Sequence, residues 1–249
     1  WYVADLQRAS VERGVHCERI DYQQLRGGII DQQPELLCGG LELRALEALI
    51  VRTMPPGSRG QGVFRSDLLA RLEAQGVTVL NPPRAIEHAV DKYLTSAKLA
   101  AAGLPVPDTL VCESSDEALE AFERLGGDVV VKPVFGAEGR GIVRVSDPEI
   151  ALRVFRTLER IHAVLYLQRF VTHPGYDLRV LVLAGRLLGG MRRYAGSSFK
   201  TNIAGDGRGA AQVPTDHEID LALRATAAIG ATFAGVDLLT DRAGRHYVI

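Results

Sequence analysis

The 249-residue sequence has no apolar run near the roughly 20 residues that a membrane-spanning helix needs, and no leader pattern of a secretory signal. It carries only three cysteines, Cys17, Cys38 and Cys112, and they lie far apart. An odd, scattered set excludes a disulfide framework or a cysteine zinc site and fits thiols in a reducing compartment. Charge of either sign is not in excess: 29 Lys and Arg face 30 Asp and Glu, for a net charge of -1. No global field therefore draws the chain to nucleic acid or to an anionic membrane surface. Internal repeats and low-complexity segments are missing too. What remains is an ordinary globular composition, read as a cytoplasmic protein with neither nucleic acid nor membrane as partner. The chain starts at Trp1 inside a helical pattern and stops at "HYVI" inside a strand pattern. It therefore reads as a piece of a longer protein, with a first strand expected before Trp1 and a C-terminal end expected after Ile249.

What is present alternates. A helix pattern through Val3 and Leu6 precedes a strand expected at "VHCERI" (15–20) and a second at "ALIVRT" (48–53), closed by Pro55-Pro56-Gly57. A helix through Phe64, Leu68 and Leu72 and a strand at "VTVL" follow. This order predicts a parallel, doubly wound α/β unit over residues 1–84. Residues 85–102 carry apolar side chains at Ile86, Ala89, Val90, Tyr93, Leu94 and Ala97, the stripe of one helix ended by Gly103 and Pro105. Asp91 and Lys92 lie off the stripe.

From Leu110 the pattern predicts an α+β layer: strand, a helix opened by a Ser114–Glu117 capping box, a hairpin around a glycine loop, and a helix opened by Asp147-Pro148. The last third predicts a strand at "VLYLQRFV", a long hairpin ("DLRVLVLAG" against "RLLGGMRRY"), and a polar loop over 196–209. A helix capped by Thr215 and Glu218 and two final strands complete it. The expected division is 1–84 and 85–249, the second part made of a central subdomain at about 107–163 and a C-terminal one at about 164–249.

Four places carry chemistry. In "VVVKPVFGAEGRGI" a lysine ends a buried strand and glycines follow. An ammonium there needs an anionic partner or must reach solvent at the strand end. The glycines let backbone N–H groups turn toward an anion. A P-loop or a kinase glycine loop would place the glycines first, so the order fits neither. Lys92 stands about forty residues upstream. The hairpin concentrates Asp177, Arg179, Arg192 and Arg193, with Lys200 and Asn202 in the loop after it. Asp177 and Arg179 share a strand face, whereas Arg192 and Arg193 point to opposite faces, so one of the two enters any cleft. Asp237, inside the apolar "GVDLL", needs a cation, a metal or several N–H donors.

The ordered set (Asp91-Lys92, Lys132 with its glycine loop, "LQRFV", "YDLRV", "RRY…FKTN", "GVDLL") resembles the ATP-grasp superfamily. Within it the set is most similar to the RimK-like ligases, which join glutamate or another amino acid to a carboxylate. The resemblance spans essentially the whole chain. It implies an α/β and α+β architecture: an ATP-grasp fold with a preceding N-terminal doubly wound α/β domain. It further implies that Lys92 and Lys132 contact nucleotide phosphates and that the loop Gly136, Ala137, Glu138, Gly139, Arg140, Gly141 closes over them. The backbone of Gln168, Arg169, Phe170 and Val171 would read the adenine edge, with Asp177 close to the nucleotide. Lys200, Thr201 and Asn202 would lie near the phosphates. Asp237 would hold Mg2+ (or Mn2+), and Arg179 with Arg192 or Arg193 would steady the acyl phosphate and the oxyanion. Two departures stand out: Arg169 occupies a hinge position where the family has Glu, and the family's Glu-x-Asn metal ligands would fall after Ile249.

The implied reaction brings an acceptor carboxylate against the γ-phosphoryl group of ATP. Two unit charges at about 4 Å interact by roughly 1 kcal/mol in water and about 4 kcal/mol at an effective dielectric near 20. Cationic side chains in a closed site offset that repulsion, and a lid keeps water from the acyl phosphate. The expected partners are ATP, an amino acid and a carboxylate acceptor (a small molecule, a coenzyme or a protein terminus), in a chain that forms a homo-oligomer. The alternative is a degenerate ATP-grasp module that binds nucleotide without turnover. The acceptor is expected on the N-terminal domain side, near Arg52 and Thr53 at a strand end.

Overall fold

The structure is a computed structural model that describes residues 2–136, 139–196, 201 and 207–249. It divides into two units, Trp1–Pro83 and Arg84–Ile249.

In the first unit, α1 (Tyr2–Val11) is followed by an irregular, mostly exposed segment at 15–20, so the strand expected there does not form. The pairing is made instead by β1 (Leu25–Ile30), β2 (Gln33–Cys38) and β3 (Leu41–Glu42), an antiparallel sheet. Its first turn has Asp31 and Gln32 both at positive φ (49° and 63°), the two-residue turn whose twist suits a hairpin. Sequence patterning missed these strands because Gly27, Gly28 and Pro34 are poor strand formers. Next come β4 (Ala48–Ile50), α2 (Arg59–Ala74) and β5 (Thr78–Leu80). A reciprocal Ser58–Gln61 box caps α2, which buries Leu68, Leu69 and Leu72. β4 and β5 pair in parallel across α2, as a βαβ unit must. The α/β unit is thus one parallel pair beside a three-stranded antiparallel sheet.

The second unit opens with α3 (Pro83–Val90) and α4 (Lys92–Ala101) rather than one continuous helix. Asp91 breaks it: the backbone there is extended and its carboxylate accepts the Leu94 N–H at 2.9 Å, starting a new helix. Then follow β6 (Thr109–Cys112), α5 (Ser115–Arg124), β7 (Val129–Lys132), β8 (Val143–Val145), α6 (Pro148–Arg160) and β9 (Leu165–Arg169). Ser114 caps α5 through the Glu117 N–H, one half of the expected box. Asp147 caps α6 through the Ile150 N–H, with Pro148 at the first helical position. The sheet order is β6-β9-β7-β8, so β9 lies between β6 and β7. The strand assigned from sequence to the C-terminal subdomain therefore belongs to the central sheet. Its alternation explains the division of labour: Leu165, Leu167, Val129 and Val131 pack with Phe122 and Phe155 beneath α5 and α6. Thr109, Tyr166, Gln168, Val130 and Lys132, in register with one another, lie on the other face.

The second sheet contains β10 (Tyr176–Leu183), β11 (Arg186–Tyr194) and β12 (Arg208–Ala211). After α7 (Asp216–Ile229) it adds β13 (Phe233–Thr240) and β14 (His246–Val248). Its order is β12-β11-β10-β13-β14. β12 starts inside the stretch expected to be loop. Leu178, Val180, Val182, Val236 and Leu238 form a core with Leu221, Ala222 and Ala225 of α7, and a full Thr215–Glu218 capping box starts that helix. Asp177, Arg179, Arg193 and Asp237 occupy the opposite face, because Asp177 pairs with Arg193 and Arg179 with Asp237 across adjacent strands. Gly190 has a packing reason: a Cβ there would stand 2.5 Å from the Gln212 carbonyl oxygen and 2.6 Å from Pro214 Cγ.

Candidate active site

The polar faces of the two sheets share a cavity of about 90 Å³, lined by Val130, Lys132 and Gln168 from the first and by Leu239 of the second, with Thr201 and Ile249. Pro107, Ile142, Arg169 to Val171 and His173 complete the lining. Whole ligand pockets measure about 300–1,000 Å³. A cavity this small would hold only part of a larger ligand, the rest of which would extend past it along the cleft.

Lys132 lines this cavity, and Lys92 lies close enough to act on its charge. The Lys132 Nζ donates to Gln168 Oε1 at 2.7 Å. Burial, then the neighbouring charge of Lys92, bring its pKa down to about 8, against an upward pull from Asp237. Lys92, the first residue of α4, donates from Nζ to the carbonyls of Gly136 (2.8 Å) and Val134 (3.4 Å), and its own N–H bonds the Val134 carbonyl. Burial lowers its pKa as well, with Asp91 opposing. Lys92 is thus tied to the start of the glycine loop. Gly136, Gly139 and Gly141 all have positive φ (138°, 71° and 72°), a backbone that a side chain would strain. Two partly desolvated ammonium groups beside such a loop, with no carboxylate salt-bridged to either among the described residues, make a site for an anion.

Across the cleft lies a cluster of opposite charges. Asp177 is 1% exposed, and both of its oxygens accept from the Arg193 guanidinium (Nε to Oδ1 at 2.7 Å), with the Thr201 hydroxyl adding a bond at 2.6 Å. Asp237 accepts two parallel bonds from Arg179, both at 2.7 Å, and a third contact from Arg193 at 2.8 Å. Burial works against the Arg193 charge, but the bonds to Asp177 and Asp237 outweigh it and raise its pKa. Gly235 leaves room for the arginine: a Cβ there would stand 3.3 Å from Arg179 Cδ. Arg179 remains the more exposed member. Both guanidinium forks are spent on carboxylates, so the two arginines and two aspartates offset one another's formal charge, and Arg179 is the arginine with exposed surface.

The family model described as the RimK-like ATP-grasp domain matches residues 89–249, and the model described as the RimK PreATP-grasp domain matches residues 1–86. The chain belongs to the RimK-like ATP-grasp family. Among curated relatives, a tetrahydromethanopterin:alpha-L-glutamate ligase of Methanosarcina acetivorans is 36% identical over 96% of this chain and 78% of its own length. A glutamate–LysW ligase ArgX of Sulfolobus acidocaldarius is 29% identical over 99% of this chain and 86% of its own length. A probable alpha-L-glutamate ligase of Parasynechococcus marenigrum is 30% identical over 96% of this chain but only 51% of its own length. Among solved structures, a RimK domain protein of Sphaerobacter thermophilus superposes with a TM-score of 0.75 at 19% identity, covering 98% of this chain and 83% of that one. The ATP-grasp ligase PsnB with its minimal precursor superposes with a TM-score of 0.72 at 22% identity, covering 100% and 84%. These two likenesses carry the fold. ATP-grasp ligases of this family are ATP-dependent enzymes that form C–N bonds.

Within this family's framework the expected residues fall into three groups. Lys132, Gln168, Arg169, Phe170, Val171 and Thr201 all line the cavity, and Lys92 holds the adjacent loop. Asp177, Arg179, Arg193 and Asp237 meet in the cluster, but none of the four is among the cavity-lining residues, and Asp177 is buried as the anchor of Arg193. Arg192 does not join them: it lies on the other face of β11, with its guanidinium over the Tyr176 ring at 4.4 Å and its Nε buried without a partner. Of the two arginines, Arg193 lies on the face of Asp177 and Asp237, buried at 3% exposure. Ala137, Glu138, Lys200 and Asn202 lie outside the described residues. Arg169 is ion-paired with Asp108 at 2.6 Å, while its N–H bonds the Asp108 carbonyl. Arg52 stacks on Tyr2 at 5.1 Å.

The described residues do not by themselves make a metal centre. They include no group of three His, Cys, Asp or Glu side chains suited to a metal, and both Asp237 oxygens are engaged by guanidinium groups. Sequence reasoning missed Tyr166, Ser96 and Thr109. Tyr166 was findable, since it stands two residues before Gln168 and so shares its face.

Proposed function

We propose that this protein condenses an amino acid, glutamate by analogy with its relatives, with a carboxylate acceptor through an acyl phosphate. The observation that carries this reading is the pairing of two partly desolvated lysines on a glycine loop with a guanidinium cluster on the facing sheet. Lys132 and Lys92 would hold the phosphates, the 136–141 loop would cover them, and the 168–171 backbone would line the adenine. An acceptor carboxylate oxygen attacks the γ-phosphorus, the bond to the β-phosphate oxygen breaks, and ADP leaves. The amine then attacks the acyl carbon, phosphate departs, and the amine proton passes to solvent. Arg179, the more exposed of the pair, would stabilise the negative charge on the transferring phosphoryl group and the tetrahedral oxyanion, with the buried Arg193 contributing its charge from behind. Anchoring by Asp177 and Asp237 orients them before substrate arrives.

We take magnesium to enter with the nucleotide, where it would neutralise phosphate charge. Asp237 could ligate it only by releasing a guanidinium. That engagement favours the second reading, a module that binds nucleotide without turnover. We further read residues 1–84 as the domain preceding the ATP-grasp domain, the cytoplasm as the compartment, and the functional unit as a homo-oligomer. The acceptor is a small molecule, a coenzyme or a protein terminus.

The test is phosphate release from ATP with glutamate and a panel of carboxylate acceptors. Release that requires both, together with an amide product, supports the ligase. Tight ATP binding without release under any pair supports the binding module.

A further inference from the structure

Gln168 lies in the most buried strand of the central sheet, 5% exposed, where an uncharged polar side chain costs free energy unless its amide is satisfied. It is satisfied on both sides. Its Oε1 accepts from Lys132 Nζ at 2.7 Å, and its Nε2 donates to Thr109 Oγ1 at 3.0 Å and to Tyr166 Oη at 3.1 Å. These partners fix the amide's orientation, because the reverse would set an NH2 against an ammonium. They are fixed in turn: the Thr109 hydroxyl donates to the Pro107 carbonyl at 2.9 Å, and Tyr166 Oη shares a 2.8 Å bond with Ser96 Oγ. Ser96 sits on α4, the helix that begins with Lys92. A continuous buried chain therefore runs from Lys132 through Gln168 and Tyr166 to the element that carries the other phosphate-site lysine.

We propose that Gln168 is a positioning residue: its side-chain carbonyl, locked by Tyr166 and Thr109, aims the Lys132 ammonium into the cleft where the nucleotide phosphates bind. The side chain is fully used inside the protein and has no donor left for the base. Lys132 has no other hydrogen-bonding side chain among the described residues; the charges facing it are Lys92 of α4 and Asp237 of β13. Without Gln168 the ammonium would be turned by Lys92 repulsion and Asp237 attraction alone. The proposal rests on the reading of the cleft as a nucleotide site.

The test is a double-mutant cycle on Lys132→Met and Gln168→Leu in the intact protein. The readout is calorimetric binding of a non-hydrolysable ATP analogue with magnesium. A hydrogen bond to a charged group predicts about a tenfold or greater loss for Gln168→Leu. The expected result is that the double variant binds no worse than Lys132→Met, within about twofold, since Gln168 acts only through that lysine. Gln168→Glu, which keeps an oxygen opposite Lys132, should recover most of the affinity. Independent, additive losses would overturn the proposal, as would a Gln168→Glu variant as weak as Gln168→Leu. Unchanged affinity in Lys132→Met would instead remove the phosphate role of Lys132, and the positioning role with it. If Gln168→Leu does not fold, Gln168→Met takes its place in the cycle.

Discussion

Nucleotide binding to this protein should take up a proton, and Lys132 should be where it goes. In the free protein, burial and the Lys92 charge place the Lys132 pKa at about 8, so at pH 8.5 roughly three quarters of the molecules carry a neutral amine. A phosphate in the cleft favours the ammonium. If it returns the group to an ordinary lysine value of about 10.4, the difference is about 2.4 pH units, or roughly 3 kcal/mol. Affinity should then be flat below pH 8, fall about tenfold per unit from about pH 8 to about pH 10.4, and level off. Calorimetry at pH 8.5 in two buffers of different ionisation enthalpy should show uptake of about 0.75 proton per nucleotide from this group. Lys132→Met should remove that uptake and leave only what Lys92 contributes. Folding stability should move the opposite way with pH. The unfolded chain holds more protons than the folded one between pH 8 and 10.5, so stability from this group rises across that window; below it the charged lysine is a constant penalty. Equal affinity at pH 7 and 9.5, with no buffer dependence of the heat at pH 8.5, would refute the account of Lys132 as the phosphate ligand held in a desolvated cleft.

Other perturbations test the scaffold. Asp177→Ala leaves the buried Arg193 with one carboxylate instead of two, and removing one member of a buried ion pair costs about 3–5 kcal/mol; chemical denaturation should show it, and a loss under 1 kcal/mol would contradict the anchoring role. Phe155→Ala, at a side chain with no exposure that meets Phe122 edge-on at 6.4 Å, should cost about 3–5 kcal/mol by the same measurement. Gly190→Ala forces a methyl against the Gln212 carbonyl and Pro214 and should cost about 1–3 kcal/mol through overpacking. Arg169→Ala removes only an exposed pair with Asp108, so stability should change by less than about 1 kcal/mol. Because the backbone is what is proposed to meet adenine at this position, ATP affinity should hold within about threefold.

The conformation at the start of β7 and β9 and the caps of α5, α6 and α7 were legible in the sequence, because apolar alternation and Ser, Asp and Thr caps act over a few residues. The order of Lys92, Lys132, the hinge, Asp177 and Asp237 was legible as well, and it was enough to suggest the family. Local signals did not reveal β1 to β3, whose glycines and proline are tolerated only because strand partners hold them in register. They also did not reveal the break at Asp91, where a side-chain cap competes with the helix on equal terms.

What only the tertiary structure decided is which charges meet. Sequence alternation assigned Arg192 and Arg193 to opposite faces but could not say which face was the cleft; the register of β10 against β11 and β13 gave Arg193 two carboxylates and left Arg192 on a tyrosine ring. Asp237, read alone as a metal ligand, sits opposite Arg179 across a strand pair and carries two guanidinium groups. Lys132 could be seen to need a partner, yet Gln168 is 36 residues away in sequence, and nothing local links them. Periodicity encodes the face a side chain takes; its partner depends on long-range pairing, where electrostatics and hydrogen bonding act over a few ångströms of space and not along the chain.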